Sequence, residues 1–186
     1  MERQNKILVV IDVQEDFARG RLRNEEAIKA LPVIHDAVVY ANEHFKSPSV
    51  LYTLDTHTID YLKTQEGKNL PVPHCIHHTD GWALCPEAVP DGVTPYTLCK
   101  GTFGSMELAD RSYGADLCAA DEIWICGFCT DICVSANFQI LKAAYPEIPI
   151  VVIEDACAGV TPELHEAAIK VMQSCQARIA KLDELI

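Results

Sequence analysis

The chain has 186 residues, of which 49% are hydrophobic and 23% charged, a composition suited to one globular domain with a large core. Its 27 acidic against 15 basic residues leave a net charge of −12, which repels phosphate backbones and anionic bilayers and argues against nucleic-acid or membrane binding. No apolar run is long enough to span a bilayer and MERQNK leads directly into a strand pattern without a leader, so a cytoplasmic setting is expected.

Lys6–Ile11 (KILVVI) is an apolar run without polar alternation, the pattern of a strand buried on both faces. Glu25–His44 is helical in pattern, with Pro32 expected to interrupt it early. Ser49–Leu54 (SVLYTL) reads as a second strand. Asp55–Asp91 breaks the rhythm: it is long, irregular and rich in His, Pro and Gly, and such loops in compact domains are usually functional. Thr94–Cys99 is a weaker third strand, and Glu122–Gly127 (EIWICG) and Ile148–Ile153 (IPIVVI) are two more central ones.

Between those last two, Val134, Phe138, Leu141 and Tyr145 recur at helical steps and define one face of a helix. Thr161-Pro162-Glu163 opens the last helix with a capping hydroxyl, a proline at the first position and an early acid. Leu164, Ala168, Val171 and Cys175 are expected to form its apolar face. Alternation of strands and helices predicts a single α/β domain over residues 1–186, a three-layer α-β-α sandwich around a mainly parallel sheet.

In such sheets ligands bind at the carboxyl ends of strands. Four of those ends carry reactive groups: Asp12, then Asp55 with His57, then Lys100, then the cysteines of ICGFCTDICV. Nine cysteines in a reducing compartment stay free, their odd number argues against a closed disulfide framework, and most are expected to be buried as small apolar residues. Of the three in ICGFCTDICV, Cys126 lies in the strand and Cys129 in the turn. Cys133 opens the next helix, where the helix dipole is expected to depress a thiol pKa. An iron–sulfur cluster usually requires four thiolates in an accessible loop. Asp12, Lys100 and Cys133 together make a chemically sensible set, with Asp12 moving the thiol proton and Lys100 stabilising both anions. The alternative for Asp12 and Lys100 is an ion pair spanning two strand ends.

With DVQEDF, KGTFGS and GFCTDICV in order on the matching strand ends, the sequence resembles the isochorismatase-like cysteine hydrolases, and within them the nicotinamidases, over nearly its whole length. The resemblance implies a Rossmann-like fold with Asp12 as acid/base, Lys100 as the accompanying lysine and Cys133 as nucleophile. It also implies a non-proline cis peptide at Phe128–Cys129, with the backbone N–H groups of Cys129 and Cys133 forming an oxyanion hole. Phe17 matches the family's aromatic wall, and Phe128 is expected beside the substrate.

Asp55 and His57, two apart in LDTH, can face one side of an extended segment, and LPVPHC supplies His74. One carboxylate and two imidazoles suit a divalent ion, zinc before manganese or iron, and the set resembles the nicotinamidase metal site, with Glu66 as a further ligand. The insertion at about 55–91 is thus expected to be metal-binding. His77 and His78 are expected to be solvated, and His35, His44 and His165 to lie on helix surfaces. Nicotinamidases commonly carry Trp-Pro before the metal histidine; here the segment is Leu70-Pro71-Val72-Pro73, and Trp82 is the candidate replacement ring.

The expected activity is hydrolysis of nicotinamide to nicotinate and ammonia, serving NAD salvage. Two alternatives remain: another small amide or carbamoyl substrate, and a non-catalytic thiol protein binding metal through Cys126, Cys129 and Cys133. The resemblance further implies a homo-oligomer, either dimer or tetramer.

Overall fold

The elements are β1 (Lys6–Ile11), α1 (Glu15–Ala18), α2 (Glu25–His44), β2 (Val50–Asp55), α3 (Gln65–Asn69), β3 (Tyr96–Lys100), α4 (Ala115–Ala119), β4 (Glu122–Phe128), α5 (Ser135–Ala144), β5 (Ile150–Ala158), α6 (Pro162–Ser174) and β6 (Arg178–Ala180). They come from a computed structural model that describes residues 3–110 and 115–186. The six strands form one sheet in the order β3-β2-β1-β4-β5-β6, with every neighbouring pair parallel. Chain order runs outward from β1 one way and from β4 the other. Right-handed crossovers therefore place α2 on one face and α5 and α6 on the opposite face, giving three layers.

The central strands are apolar throughout because both faces are covered: β1 from Ile7 to Ile11 and β4 from Ile123 to Phe128 are buried. Asn24 caps α2, its Oδ1 accepting the N–H of Glu26 at 2.9 Å. Ala27, Ala30, Leu31, Ile34, Ala37, Val38 and Ala41 then turn one buried face to the sheet. Pro32 does not interrupt this helix, contrary to the sequence expectation. Its ring sits on the exposed side, and an interior proline costs about 3 kcal/mol, less than the burial of that seven-residue face contributes.

The last helix also differs from its expected facing. Ala168 and Met172 are buried, whereas Leu164 is 45% and Val171 53% exposed. The apolar residues of α6 span a wider arc than the sheet can cover, so the half containing Met172 packs inward. Neither α4 nor the three-residue β6 has a pattern in the sequence long enough to identify.

Strands β1 and β4 approach so closely at their carboxyl ends that residue 127 has no room for a side chain. Gly127 adopts φ 122°, and a Cβ there would strike the Ile11 carbonyl. Gly127→Ala is therefore expected to destabilise the protein by roughly 2–4 kcal/mol, measured by urea denaturation against wild type.

Candidate active site

The order of strands reverses between β1 and β4, and in a doubly wound sheet this switch point opens a crevice at the carboxyl ends. Asp12 follows β1 immediately, in a left-handed conformation (φ 49°) that aspartate tolerates better than most residues. Two groups of β2 hold it there. The Asp12 N–H donates to the Thr53 carbonyl at 3.1 Å, and the Thr53 hydroxyl donates to Asp12 Oδ1 at 2.6 Å.

Lys100, the last residue of β3, reaches across the end of β2. Its Nζ lies 2.6 Å from Asp12 Oδ2, 3.9 Å from Asp55 Oδ1 and 3.6 Å from Cys133 Sγ, and it donates to the Thr102 carbonyl at 3.0 Å. Asp12, Lys100 and Cys133 are all buried. The three candidate catalytic side chains thus share one point.

Burial acts on each of them. It raises the Asp12 pKa, opposed by the Lys100 charge. It opposes the charge on Lys100 as well, but Asp12, Cys133 and Asp55 together more than compensate and raise the ammonium's pKa. The Cys133 thiol is pushed well above its ordinary value, first by burial and then by the Asp12 charge. This reverses the expected depression by a helix N-terminus: Cys133 sits inside a π-helical turn, Thr130–Val134, ahead of α5, and the carboxylates outweigh Lys100. Burial and the neighbouring carboxylates thus favour the protonated form of the Cys133 thiol.

The Phe128–Cys129 peptide is cis, and Cys129 N-caps the turn that carries Cys133. Asn137 secures this turn to the KGTFGS segment, its Nδ2 donating to the Cys133 carbonyl at 2.8 Å and its Oδ1 accepting the Ser105 N–H at 2.8 Å. Cys126 is fully buried in β4, and the three cysteines of ICGFCTDICV form no ligand group among the described residues.

A second cluster stands beside the first. One ligand atom each from Asp55, His57 and His74 lies within 4.8 Å of the others, and all three residues are buried. His57 Nε2 is 2.9 Å from Asp55 Oδ2 and 3.5 Å from Glu66 Oε1; His74 Nε2 is 3.3 Å and 3.6 Å from the same two atoms. His74 Nδ1 donates to the Val72 carbonyl at 2.8 Å, leaving the Nε2 lone pair directed at the cluster. His57 Nε2 is buried and has no hydrogen bond of acceptable geometry. Two imidazole nitrogens converging on two carboxylates, one nitrogen orphaned, fit a divalent cation. Burial disfavours a charged His57, yet the Asp55 and Glu66 carboxylates raise its pKa to about 9, so the site attracts positive charge strongly. Burial likewise raises the Asp55 pKa, but His57, His74 and Lys100 reverse this and bring it well below the carboxylate range.

Glu66 is on α3, a single turn capped by Thr64, whose hydroxyl accepts the Gly67 N–H at 2.9 Å. The two histidine segments are stitched together by the His57 N–H to the Cys75 carbonyl and the His77 N–H to the His57 carbonyl, each 2.9 Å. The insertion is thus a built structure and not an irregular loop.

One cavity of about 450 Å³ is lined by Cys133 from the first cluster and by Asp55, Glu66 and His74 from the second, with Cys129 beside them. Phe17, Leu22, Leu70, Phe103, Ile132 and Val160 give it apolar walls, and the exposed Arg23 and Glu25 stand at its edge. Phe17 lies on this wall, edge-on to His74 at 5.6 Å. Trp82 does not: its indole N–H donates to Thr56 Oγ1 at 2.9 Å and its ring packs on the exposed His77 and His78. Phe128 is fully buried and is also outside the lining. His165 is half-buried instead of exposed, with Nδ1 2.8 Å from Thr130 Oγ1.

The isochorismatase domain model matches residues 6–184. The chain belongs to this family. No curated protein matches the chain significantly in sequence. Among solved structures, nicotinamidase/pyrazinamidase from Bacillus subtilis is 25% identical, with a TM-score of 0.78 over 97% of this chain and 100% of that one. Pyrazinamidase of Pyrococcus horikoshii, solved in complex with zinc, is 23% identical with a TM-score of 0.77 over 96% and 99%. An isochorismatase family protein from Desulfovibrio vulgaris has a TM-score of 0.80 at 22% identity over 98% and 97%. The protein is an isochorismatase-family hydrolase whose fold neighbours include nicotinamidases.

Several supporting residues had no signal in the sequence. Gln14 is fully buried and clamps the end of β2, its Oε1 accepting the Asp55 N–H at 2.7 Å and its Nε2 donating to the Asp55 carbonyl at 2.9 Å. Asp16 Oδ2 accepts the Cys75 N–H at 2.7 Å, fixing the backbone beside His74. Tyr61 packs edge-on to both His57 and His74. Titration of the metal-free protein with a divalent ion is expected to give one bound ion per chain. His57→Ala should weaken it by more than 100-fold and Gln14→Ala by about 10-fold, both read by a competing chromophoric chelator.

Proposed function

We propose that this hydrolase cleaves the carboxamide of nicotinamide to nicotinate and ammonia through a Cys133 thioester. The observation that carries the reading is that Cys133, which contacts Lys100, lines the same cavity as Asp55 and His74 of the Asp55–His57–His74 cluster. A carboxamide at Cys133 and a ring nitrogen at the histidines are the two ends of one small flat substrate.

The order of events follows from the protonation states. Cys133 begins as a thiol, so Asp12 takes its proton as the sulfur attacks the amide carbon. Lys100 keeps Asp12 anionic for that step and offsets the negative charge as it moves onto sulfur. The backbone N–H groups of Cys129 and Cys133 receive the oxyanion. As the C–N bond breaks, Asp12 returns the proton to the departing ammonia. Water then gives a proton to Asp12 and attacks the thioester; the C–S bond breaks and the thiolate recovers that proton.

A zinc ion held by Asp55, His57 and His74, with Glu66 beside them, would offer the ring nitrogen a coordination position. The chain's own contribution there is orientation, with Phe17 and Leu70 on the apolar wall against the ring. The lack of an aromatic residue in Leu70-Pro71-Val72-Pro73, with Trp82 turned away from the cavity, favours a second reading in which the same chemistry acts on another small amide or carbamoyl compound. No helix among the described residues is long and apolar enough to cross a membrane, and the proposed setting is cytoplasmic NAD salvage.

Ammonia release from nicotinamide tests the proposal. Cys133→Ala should abolish turnover with bound metal unchanged, and Asp12→Asn should lower kcat by roughly 10²–10⁴. Chelation should collapse nicotinamide turnover and added zinc should restore it. Full activity in Cys133→Ala would rule out the thioester, and turnover of other amides but not nicotinamide would favour the second reading.

A further inference from the structure

The π-helical turn Thr130–Val134 that carries Cys133 has no side-chain cap of its own, so neighbouring segments set its orientation. Asn137 joins it to the KGTFGS segment. A second hold comes from residues 159–165, at the start of α6. Asp131 Oδ1 accepts the Val160 N–H at 2.9 Å, and His165 Nδ1 lies 2.8 Å from Thr130 Oγ1. Gly159 leaves no slack there, because a Cβ would stand 2.9 Å from Asp131 Oδ1 and 2.8 Å from the His165 backbone nitrogen. Asn24, the cap of α2, donates its Nδ2 to the Gly159 carbonyl at 2.7 Å and anchors the segment.

The contact to Thr130 is more than packing. Thr130 is fully buried, so its hydroxyl proton needs an acceptor within the protein, and His165 Nδ1 is the one it meets. Accepting that proton requires a neutral ring. Burial lowers the His165 pKa, and the carboxylates of Glu154, Glu166, Asp131 and Glu26 oppose this only in part, so the ring is uncharged at pH 7. Without Nδ1 the hydroxyl turns to a main-chain carbonyl of its own turn and bends it. Cys133 is three residues on in the same turn and moves with it. A displacement of about 1 Å at a reacting atom can cost about 100-fold in rate.

We propose, on the reading that Cys133 is the nucleophile, that His165 is a positioning residue for its attack, acting through the Thr130 hydroxyl. His165 is outside the lining of the cavity that Cys133 faces, so it acts on the geometry of the sulfur and not on the substrate.

Two measurements on the zinc-loaded full chain test this: hydrolysis of nicotinamide, and the rate at which iodoacetamide alkylates Cys133, followed by mass spectrometry of the peptide that bears it. His165→Ala and Thr130→Val should each lower kcat roughly 10–100-fold with KM within about twofold, and should slow the alkylation at least roughly tenfold. The double variant should lose no more than the worse single one, since both remove one bond. His165→Asn, which keeps an acceptor near the Nδ1 position, should recover most of the loss, as a space-filling role would not allow. Thr130→Val preserves side-chain shape and reads the bond even where His165→Ala loosens α6. Unchanged kcat and alkylation in the single variants, or losses that multiply in the double variant, would overturn the proposal. A His165→Asn chain as slow as His165→Ala would overturn the acceptor role. Wild type that hydrolyses no nicotinamide fails the substrate reading instead, and the alkylation rates still decide the role of His165.

Discussion

The buried contact between Asp12 and Lys100 is the constraint around which the site is organised. Each is the terminal group of a strand, and the strand between them, β2, supplies Thr53 and Asp55 to the same point. Removing either charge would leave the other stranded in a low-dielectric interior, at a cost of several kcal/mol. The pair therefore ties β1 to β3 across β2, and it places one ammonium where it can act on a sulfur arriving from β4.

That ammonium also connects two clusters that would otherwise be separate. Lys100 is within ion-pair distance of both Asp12 and Asp55, so the acid beside the sulfur and the acid among the histidines share one counter-charge. Asp12 and Asp55 flank Lys100, while Asp55 and Glu66 face the two histidines; that second pair of carboxylates raises the His57 pKa and suits the space between them to a divalent cation. A buried polar arrangement of this kind persists because its supports are satisfied. Gln14 bonds Asp55 through both backbone groups, Asp16 holds the chain beside His74, and Asn137 fixes the turn that carries Cys133.

Much of this was legible before folding. Lys6–Ile11 and Glu25–His44 were bounded as the structure has them because a continuous apolar run and a long helical period leave little choice. Asp12, Lys100 and Cys133 stood out as polar groups at apolar strand ends. Legibility failed where an outcome depends on how an element rolls or where a ring points. Trp82 turned to Thr56 and the surface histidines, Phe128 went into the core, and Leu164 and Val171 faced out while Met172 packed inward.

The sequence by itself determined the strand and helix alternation, the reactive residues and the segment bearing the histidines, because periodicity and residue chemistry are local properties. Tertiary structure decided the protonation of Cys133, the alignment of His57 and His74 on Asp55 and Glu66, and which cavity walls are aromatic. Those depend on burial and on charges brought together from distant parts of the chain. Residues such as Gln14 and Asn137 acquire a function only when a partner from another segment arrives within hydrogen-bond reach.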